Sequence, residues 1–333
     1  MEYRCLGRSS LRVSSLCLGT MNFGGRTGER ESIDIVHRAM DAGINFVDTA
    51  NKYTDGVSET FVGKALAGGR RDQVVLATKV GSPMGDRPNE ALCSRYHVMK
   101  QVEDSLRRLR TDRIDLYYLH VMDLATPLEE SMYTMDTLVR DGKVRYFGVS
   151  KWAPALTVEA MALCDRHGWA PIAAEQPPYS IVDRTVEQEM LWACRRHGIG
   201  VVPWAPLAGG VLSGKYRSEG AQPADSRFRE IGGRLTVAAI EVAERVGALA
   251  REKGCSTAAL ATAWVMHQPG VTAPIIGPRT MEHLEGALES MDVDITAADR
   301  ARVDEINPPG QAVANYYDGN TCRPLRRELG IET

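Results

Sequence analysis

The chain contains few lysines, little net charge and no long hydrophobic run. Of its 40 basic residues, 8 are lysines and 32 are arginines, so each lysine is individually more notable than each arginine. No stretch approaches ~20 consecutive apolar residues, which argues against a membrane-spanning helix. The formal net charge of -3 and the pI near 6.2 argue against a nucleic-acid-binding surface, which is usually basic. A hydrophobic share of 44% is enough for the sizeable core of a globular protein.

Cysteine motifs are also missing. No pair of cysteines has the spacing of a zinc site or of a redox motif, and we expect no metal. The N-terminus has no apolar run of signal-peptide length. The sequence therefore predicts free thiols in a reducing compartment and a cytoplasmic location. The seven cysteines are Cys5, Cys17, Cys93, Cys164, Cys194, Cys255 and Cys322.

Segments typical of strands and of helices alternate along the chain. Short runs rich in apolar residues predict eight strands, at about 15–18, 44–47, 74–78, 114–119, 145–149, 172–175, 199–203 and 272–276. Helical patterns lie between them, at about 30–42, 58–67, 96–110, 127–141, 154–167 and 185–197. Strands that alternate with helices pair in parallel through crossovers. Eight such units predict a (β/α)8 barrel, and no linker divides it. We expect residues 1–333 to form one domain, with 307–333 as an extended tail.

Two insertions add to the plain barrel. Residues 2–15 hold two short alternating runs around Gly7-Arg8-Ser9-Ser10, which predict a hairpin before the first barrel strand. A polar loop at about 208–233 and helices at about 235–253 and 256–267 separate the last two strands. A loop of that length inside a compact domain is usually functional.

Several helix starts have local signals. Thr126-Pro127-Leu128-Glu129 has the pattern of a capping box with Pro at the first helical position. Ser256 and Thr280 stand where N-caps are needed, and Thr296-Ala-Ala-Asp299 opens one more helix.

Polar residues follow three of the predicted strands. Asp48, Lys79 and His120 each come at the end of a short apolar run, and Tyr53 lies shortly after the first of them. Each residue alone is as well explained by a cap, a loop or a solvated surface. Together they match a barrel, in which active-site residues come from the ends of several strands.

The four groups have a chemistry in common. An ammonium near a tyrosine favours the phenolate and lowers the tyrosine pKa. Lys79 could supply that charge to Tyr53, Asp48 could keep Lys79 protonated, and His120 could donate to the same substrate oxygen. Such a set would polarise a carbonyl and deliver a proton to its oxygen. The hydride would have to come from a cofactor, since no side chain carries one.

Four motifs resemble those of aldo-keto reductases: Gly43-Ile-Asn-Phe-Val-Asp-Thr-Ala50 followed by Tyr53, Ala77-Thr78-Lys79, Asp115-Leu-Tyr-Tyr-Leu-His120 and Gly148-Val149-Ser150. The resemblance runs from Leu18-Gly19-Thr20-Met21 to about residue 305. It implies a (β/α)8 barrel, an NAD(P)H cofactor bound without a Rossmann domain, and a tetrad of Asp, Tyr, Lys and His. Tyr53 would be the general acid, Lys79 and Asp48 would tune it, and His120 would orient the carbonyl.

The resemblance also implies where the cofactor binds. Ser150 and Gln176 match the groups that bind the nicotinamide carboxamide, and Trp204 matches the aromatic that stacks on the nicotinamide, although a core aromatic would also fit there. Lys151 stands where most members have Asn, and where the branch related to potassium-channel β-subunits commonly has a basic residue. The other implied positions are Gly19, Thr20, Met21, Ala205, Pro206, Leu207, Gly209, Lys215, Arg227, Gly277, Arg279 and His283.

The adenosine end departs from the family. Arg227 and Arg279 favour NADPH over NADH, because paired Arg donors suit a 2′-phosphate and no acid stands at the turn before Thr280. The helix that begins after Thr280 would add the positive end of its dipole. The Gln, Glu and Asn that the family has on this helix are replaced here by His283, Gly286 and Ala287. The resemblance therefore implies a weaker adenine site.

A competing interpretation exists for one glycine-rich stretch. Gly209-x-x-x-x-Gly214-Lys215 nearly matches the P-loop of triphosphatases, but Tyr216 occupies the Ser/Thr position and a polar loop follows where a helix is required. In an aldo-keto reductase the same glycines would let backbone N–H groups approach the pyrophosphate, and Lys215 would add charge.

Taken together, these features predict NADPH-dependent reduction of an aldehyde, ketone or sugar carbonyl. Two alternatives stay open: a nucleotide-sugar keto or enoyl reductase of a natural-product pathway, and a slow cofactor-binding regulatory subunit. The expected partner is a small-molecule carbonyl compound, without nucleic acid or membrane, and the branch is compatible with a homo-oligomer. The substrate pocket would be formed by the loops at about 20–30, 52–57, 81–95, 121–126 and 307–333, with Met21, Trp152, Tyr316 and Tyr317 as candidate lining residues.

Overall fold

The computed structural model describes residues 1–216 and 234–331. The chain begins with an antiparallel hairpin of β1 (Tyr3–Cys5) and β2 (Arg12–Ser14), as predicted. Eight parallel strands follow: β3 (Cys17–Gly19), β4 (Phe46–Asp48), β5 (Val75–Val80), β6 (Ile114–Leu119), β7 (Val144–Ser150), β8 (Ile172–Gln176), β9 (Gly200–Val201) and β10 (Ile275–Ile276).

The eight parallel strands form a closed barrel. Their order is β10-β3-β4-β5-β6-β7-β8-β9. The two ends of this series meet at a parallel bridge between Val201 and Val271, where the backbone N–H of Thr272 donates to the Val201 carbonyl at 2.8 Å. The fold is therefore the (β/α)8 barrel that the alternation of strands and helices predicts, with the N-terminal hairpin added.

Helices lie around the barrel; most are partly buried, whereas α8 is buried on all sides from Ala259 to Met266 and α11 has no buried residue. The helices are α1 (Glu29–Asp41), α2 (Val57–Ala65), α3 (Arg95–Leu109), α4 (Leu128–Arg140), α5 (Pro154–His167), α6 (Met190–His197), α7 (Val237–Glu252), α8 (Thr257–Met266), α9 (Met281–Leu288), α10 (Ala297–Ile306) and α11 (Arg323–Glu328). The side chains of Ser256 and Thr280 cap α8 and α9, and Thr296 forms a capping box with Asp299, so these predicted starts are confirmed.

Small and aromatic side chains fill the barrel interior. Phe46, Ala77, Leu116, Tyr118 and Ala174 come from β4, β5, β6 and β8 and pack into one buried cluster. This filled interior makes the barrel a packed core, so a ligand has room only at its ends. The polar residues at the carboxyl ends of the strands lie at one of these two ends.

Two predictions about the ends of elements are wrong. Thr126 does not cap α4: the helix begins after Pro127, and the Thr126 N–H instead donates to Asp123 Oδ1 at 3.2 Å. The Asp123 carboxylate captures this turn because it also accepts from the N–H of Ala125. The tail after residue 307 is not extended throughout, because Arg323–Glu328 forms α11.

Two further observations concern the chain as a whole. All seven cysteines are free thiols. Among the helices of the described part of the chain, none combines the length and the apolar composition needed to cross a membrane.

Candidate active site

Two buried charges meet at the carboxyl ends of β4 and β5. Asp48 is the last residue of β4 and lies opposite Ala77 of β5, so Lys79 is two residues further along the neighbouring strand on the same side. Asp48 is 1% exposed and Lys79 is fully buried. A lysine and an aspartate are rarely buried this deeply unless they are paired.

Lys79 is the centre of a hydrogen-bond network. Its Nζ donates to Asp48 Oδ1, to the Thr49 carbonyl at 2.7 Å and to the hydroxyl of Tyr53 at 3.1 Å. The ammonium therefore uses all three of its hydrogens, and one of them is aimed at the tyrosine. Gln176 from β8 donates to the second carboxylate oxygen of Asp48 at 3.0 Å, which ties this network to the opposite side of the barrel.

Tyr53 is held on a tight turn. It begins a short 3-10 turn, Tyr53–Gly56, in which Thr54 and Asp55 have φ values of 49° and 50°. Such left-handed conformations are costly for residues other than glycine and persist only where the surroundings impose them. Here the Thr54 hydroxyl is fixed by donating to the Phe23 carbonyl at 3.0 Å.

Burial decides the protonation of Tyr53. Burial raises its pKa above the usual value, and the nearby Lys79 ammonium only partly offsets this. Lys79 does act to lower the pKa of Tyr53, but burial outweighs it, because loss of hydration costs the phenolate more than one ammonium restores. For Lys79 the balance is the opposite: burial lowers its pKa, but Asp48 and Tyr53 raise it further, and it stays charged.

His120 faces the tyrosine from the next strand. It follows β6 directly, its backbone N–H donates to the Val80 carbonyl at 2.7 Å, and its ring lies edge-on to Tyr53 with centroids 5.9 Å apart. Burial, with the charges of Lys151 and Lys79, lowers the pKa of His120 well below its usual value. The imidazole is therefore neutral near pH 7 and can donate one N–H to a substrate oxygen.

A second lysine lies close to the tetrad. Lys151 follows β7 in a left-handed conformation, with φ of 63°. Burial, with a contribution from Lys79, lowers its pKa to about 8, although Glu175 opposes the shift. Burial also raises the pKa of Glu175 well above its usual value. The departure from Asn at this position therefore adds a titratable cation beside His120.

The predicted nicotinamide residues surround the same network. The Ser150 hydroxyl donates to the Gln176 carbonyl at 2.9 Å, so these two residues are joined to each other and, through Asp48, to Lys79. Trp204 lies just beyond β9 and is half-buried, and its ring meets the edge of Tyr316 at a centroid distance of 6.1 Å. One face of the indole is thus supported by the protein.

The residues at the end of β3 limit the space at the site, and the Thr20 hydroxyl already has partners within the protein. At Gly19 an added Cβ would come within 2.4 Å of Ile275 Cγ2, so only glycine fits there. Thr20 is buried, and its hydroxyl bonds to the Asp48 carbonyl at 3.1 Å and to Ser58 Oγ at 2.9 Å. Met21 is 52% exposed.

The glycine-rich stretch is a turn and not a P-loop. After Ala205, Pro206 and Leu207, the chain forms a 3-10 turn, Ala208–Ser213, in which Gly209 and Gly210 have φ values of 62° and 105°. A Cβ added at Gly210 would approach only Lys215 Cε, at 3.9 Å, so the backbone there is open to a ligand.

The predicted adenosine end is assembled by backbone contacts. Asn22 donates to the Gly277 carbonyl at 3.0 Å, and the Thr27 hydroxyl donates to the Arg279 carbonyl at 2.8 Å. Thr280 caps α9 through the N–H of His283, whose side chain is exposed. Arg227 lies outside the described residues.

Sequence reasoning missed the groups that support the tetrad. The Thr49 carbonyl accepts from Lys79, and the Thr49 hydroxyl bonds to Ser58 at 3.1 Å. Thr49 lies inside the motif that contains Asp48. The sequence therefore shows the residue, but it does not show that its backbone carbonyl accepts a hydrogen bond from Lys79.

These groups fit a nicotinamide dinucleotide. A half-exposed indole face, an open glycine turn after β9 and a helix N-terminus after β10 occupy the loops in which barrels commonly bind phosphate. When bound, the nicotinamide would supply a hydride. The chain's own residues would hold it through Trp204, the Gly209–Gly210 turn and the Gly277–Arg279 turn. No group of three His, Cys, Asp or Glu side chains within residues 1–216 and 234–331 is arranged to hold a metal ion.

Comparison with known proteins agrees with this geometry. The model of the Aldo/keto reductase family matches residues 15–308. The chain is 40% identical to the uncharacterized oxidoreductase YrpG of Bacillus subtilis, over 95% of this chain and 99% of that protein. It is 36% identical to a probable voltage-gated potassium channel subunit beta of Arabidopsis thaliana, over 88% and 92% of the two chains. It is 32% identical to norsolorinic acid reductase of Aspergillus flavus, over 92% and 81%.

The extent of these matches covers every strand of the barrel and all four tetrad residues. The chain belongs to the aldo/keto reductase family and is an NAD(P)H-dependent oxidoreductase.

Proposed function

We propose that the protein reduces a carbonyl group with NADPH, that Tyr53 is the general acid, and that residues 1–333 act as one domain. The observation that carries this proposal is the path from Asp48 through the Lys79 ammonium to the Tyr53 hydroxyl. Proton delivery requires a hydroxyl that is protonated at rest and becomes a stabilised anion afterwards. Burial supplies the first property and Lys79 the second.

Each residue then has a distinct role. The Tyr53 hydroxyl gives its proton to the carbonyl oxygen as the hydride reaches the carbonyl carbon. Lys79 stabilises the phenolate that is left, and Asp48 keeps Lys79 charged and aimed at it. His120, neutral and edge-on to Tyr53, donates a hydrogen bond to the same substrate oxygen.

Removing only the Tyr53 hydroxyl tests this assignment. We expect Tyr53→Phe to lower kcat by roughly 10²–10⁴-fold, the usual contribution of a positioned acid. NADPH oxidation, followed by nicotinamide absorbance over a panel of aldehydes and ketones, measures this directly. Tyr117→Phe is the matched control, because Tyr117 is fully buried among the outer core residues. An active Tyr53→Phe enzyme, or a wild-type protein that oxidises no NADPH with any carbonyl, would contradict the proposal.

The preference for NADPH rests on the turn before α9. Arg279 at this turn offers paired donors to a 2′-phosphate, and the Thr280-capped helix directs its positive end the same way. The Thr27 hydroxyl holds the Arg279 carbonyl, which fixes the backbone from which the side chain extends.

The mouth of the site favours an apolar substrate. Four hydrophobic side chains that follow four neighbouring strands, three in loops and one at the start of α2, are exposed: Met21 (52%), Leu92 (41%), Leu124 (36%) and Val57 (36%). Exposed apolar side chains that cluster around a site commonly form its ligand-contacting wall. We expect kcat/KM to be at least about tenfold higher for aromatic aldehydes and ketones than for small hydroxylated ones. Equal or better use of keto-sugar nucleotides would favour the nucleotide-sugar reductase alternative.

A regulatory role is the second candidate. It is favoured by the 36% identity to a protein named as a potassium channel subunit beta. Turnover several orders of magnitude below ordinary enzymes across the whole panel, together with a stable protein partner, would support it. An ordinary turnover number with any carbonyl compound would count against it.

A further inference from the structure

One buried carboxylate holds the C-terminal segment over the tetrad end of the barrel. Asp183 is 1% exposed and lies in the loop after β8. Its Oδ2 accepts from the backbone N–H groups of Tyr316 (2.8 Å) and Tyr317 (2.7 Å). Its Oδ1 accepts from the N–H (3.2 Å) and the hydroxyl (2.8 Å) of Thr185. Both oxygens are thus committed, one to the loop and one to the segment.

Backbone pairing reinforces this attachment. Asp183 forms an antiparallel bridge with Ala312, and the Val182 carbonyl accepts from the N–H groups of Val313 (2.9 Å) and Ala314 (3.2 Å). Residues 312–317 therefore lie along the loop in one register. The Asp183 carboxylate then binds the N–H groups of Tyr316 and Tyr317, which follow the paired residues.

Beyond that turn, the segment contacts two residues of the proposed nicotinamide end. The Tyr316 ring meets Trp204 edge-on, and the Arg234 guanidinium lies 4.6 Å from the centroid of the same ring. Further along, the hydroxyl of the buried Thr321 donates to the Lys151 carbonyl at 3.0 Å. Trp204 and the left-handed backbone of Lys151 are therefore both fixed from outside by this segment.

We infer that Asp183 is a positioning residue for the nicotinamide end of the site. Within the described part of the chain, its carboxylate bonds to Thr185, Tyr316 and Tyr317, none of which belongs to the tetrad or to the groups proposed to hold the cofactor. It acts through Tyr316 on Trp204 and through Thr321 on Lys151, so the segment forms a wall that keeps the indole face in place. This inference rests on the proposed function, because it assigns Trp204 and Lys151 to the nicotinamide.

The test compares Asp183→Ala with wild type in three measurements. Loss of four hydrogen bonds to a buried carboxylate should release the segment, so that backbone amides of Tyr316 and Tyr317 exchange with deuterium at least ten times faster. The Kd for NADPH, from nicotinamide fluorescence, should rise about tenfold, as expected when one well-placed contact is lost. The KM for the carbonyl substrate should rise while kcat changes less than about threefold, because the tetrad stays intact.

Three further variants guard against a general effect on folding. Asp183→Asn keeps one acceptor oxygen but turns an amide toward the other pair of donors, so its effect should be intermediate. Tyr316→Ala leaves the carboxylate in place and should raise the Kd for NADPH similarly, and the double variant should add little. Asp136→Ala is the control: Asp136 is a buried carboxylate on α4 that accepts from the Ala170 N–H at 2.9 Å, and its loss should leave the Kd unchanged.

The outcomes separate the two proposals. Faster amide exchange in Asp183→Ala with unchanged Kd and KM would overturn the positioning role, as would fully additive effects of Asp183→Ala and Tyr316→Ala. A wild-type protein that bound no NADPH would instead refute the proposed function, and the positioning role with it.

Discussion

The two ends of the candidate site are held together in different ways. At the tetrad end, Asp48 and Lys79 are charged, buried and bonded to each other, with Gln176 closing the network. At the adenosine end, backbone carbonyls are bonded to Asn22 and Thr27, and the side chain of His283 is exposed. A buried network has no alternative partners, whereas an exposed side chain can exchange its contacts for water.

This difference predicts where substitutions are tolerated. Gly286 and Ala287 stand where the resemblance implies ligand-binding side chains, and we expect changes there to leave the bonds of Asn22 and Thr27 intact. Helix α9, which carries both residues, is linked to α1 by an ion pair. Arg38 of α1 donates to the Glu285 carboxylate at 2.7 Å and 2.9 Å. At the tetrad end, a change of Asp48 or Lys79 alone leaves the other buried group without its partner.

The largest effect is expected for Lys79→Met. The substitution leaves Asp48 charged and buried without an ammonium, which should lower the free energy of unfolding by about 3–5 kcal/mol in urea titrations. It should also lower kcat by about 10²–10³-fold, since the phenolate loses its cation. The double variant Lys79→Met with Asp48→Asn should regain much of the stability but none of the activity. If the single and double variants were equally stable, the unpaired carboxylate of Asp48 would not be the cause of the lost stability.

A smaller effect, with a defined pH dependence, is expected at Lys151. Its pKa is about 8 in the folded protein against a usual 10.5, so the charged form is penalised by folding. The penalty is fully present below pH 8 and disappears as the pH rises to about 10.5. Lys151→Met should therefore be more stable than wild type by about 1–3 kcal/mol at pH 7, after allowing for partial exposure. The difference in the free energy of unfolding between the variant and wild type should disappear as the pH rises from 8 to 10.5. If that difference stayed constant over the range, Lys151 would not titrate there.

At the adenosine end, Arg279→Ala should act on the cofactor alone. We expect the Kd for NADPH to rise about tenfold while the Kd for NADH changes little, because a single Arg–phosphate pair is lost. Stability and kcat at saturating cofactor should match wild type. An equal loss for both cofactors would indicate that Arg279 supports the turn and not the 2′-phosphate.

The smallest effect is expected for Arg38→Ala. Arg38 and Glu285 are 40% and 47% exposed, and exposed ion pairs contribute about 0–1 kcal/mol. Urea titration should show less than 1 kcal/mol of lost stability, less at high salt. A loss as large as that for Lys79→Met would remove the distinction between the two ends.

Local patterns predicted the elements correctly because their causes are local. Short apolar runs predicted eight strands, and Ser256, Thr280 and Thr296 marked helix starts, since a capping hydroxyl acts within three residues of itself. Thr126 had the same pattern and failed. Asp123, three residues earlier, accepts from the Thr126 N–H, which Glu129 would bind in a capping box, and that competition depends on how the loop folds.

The sequence by itself determined the barrel and the family, and it pointed to the four residues of the proposed tetrad, because apolar periodicity and motif spacing can be read along the chain. Only the tertiary structure decided what those residues do to one another. The Gln176–Asp48 bond joins residues 128 positions apart, and Asp183 reaches Tyr316 across 133. The rise in the pKa of Tyr53 likewise depends on how much water the fold removes, which no pairing of residue types reveals.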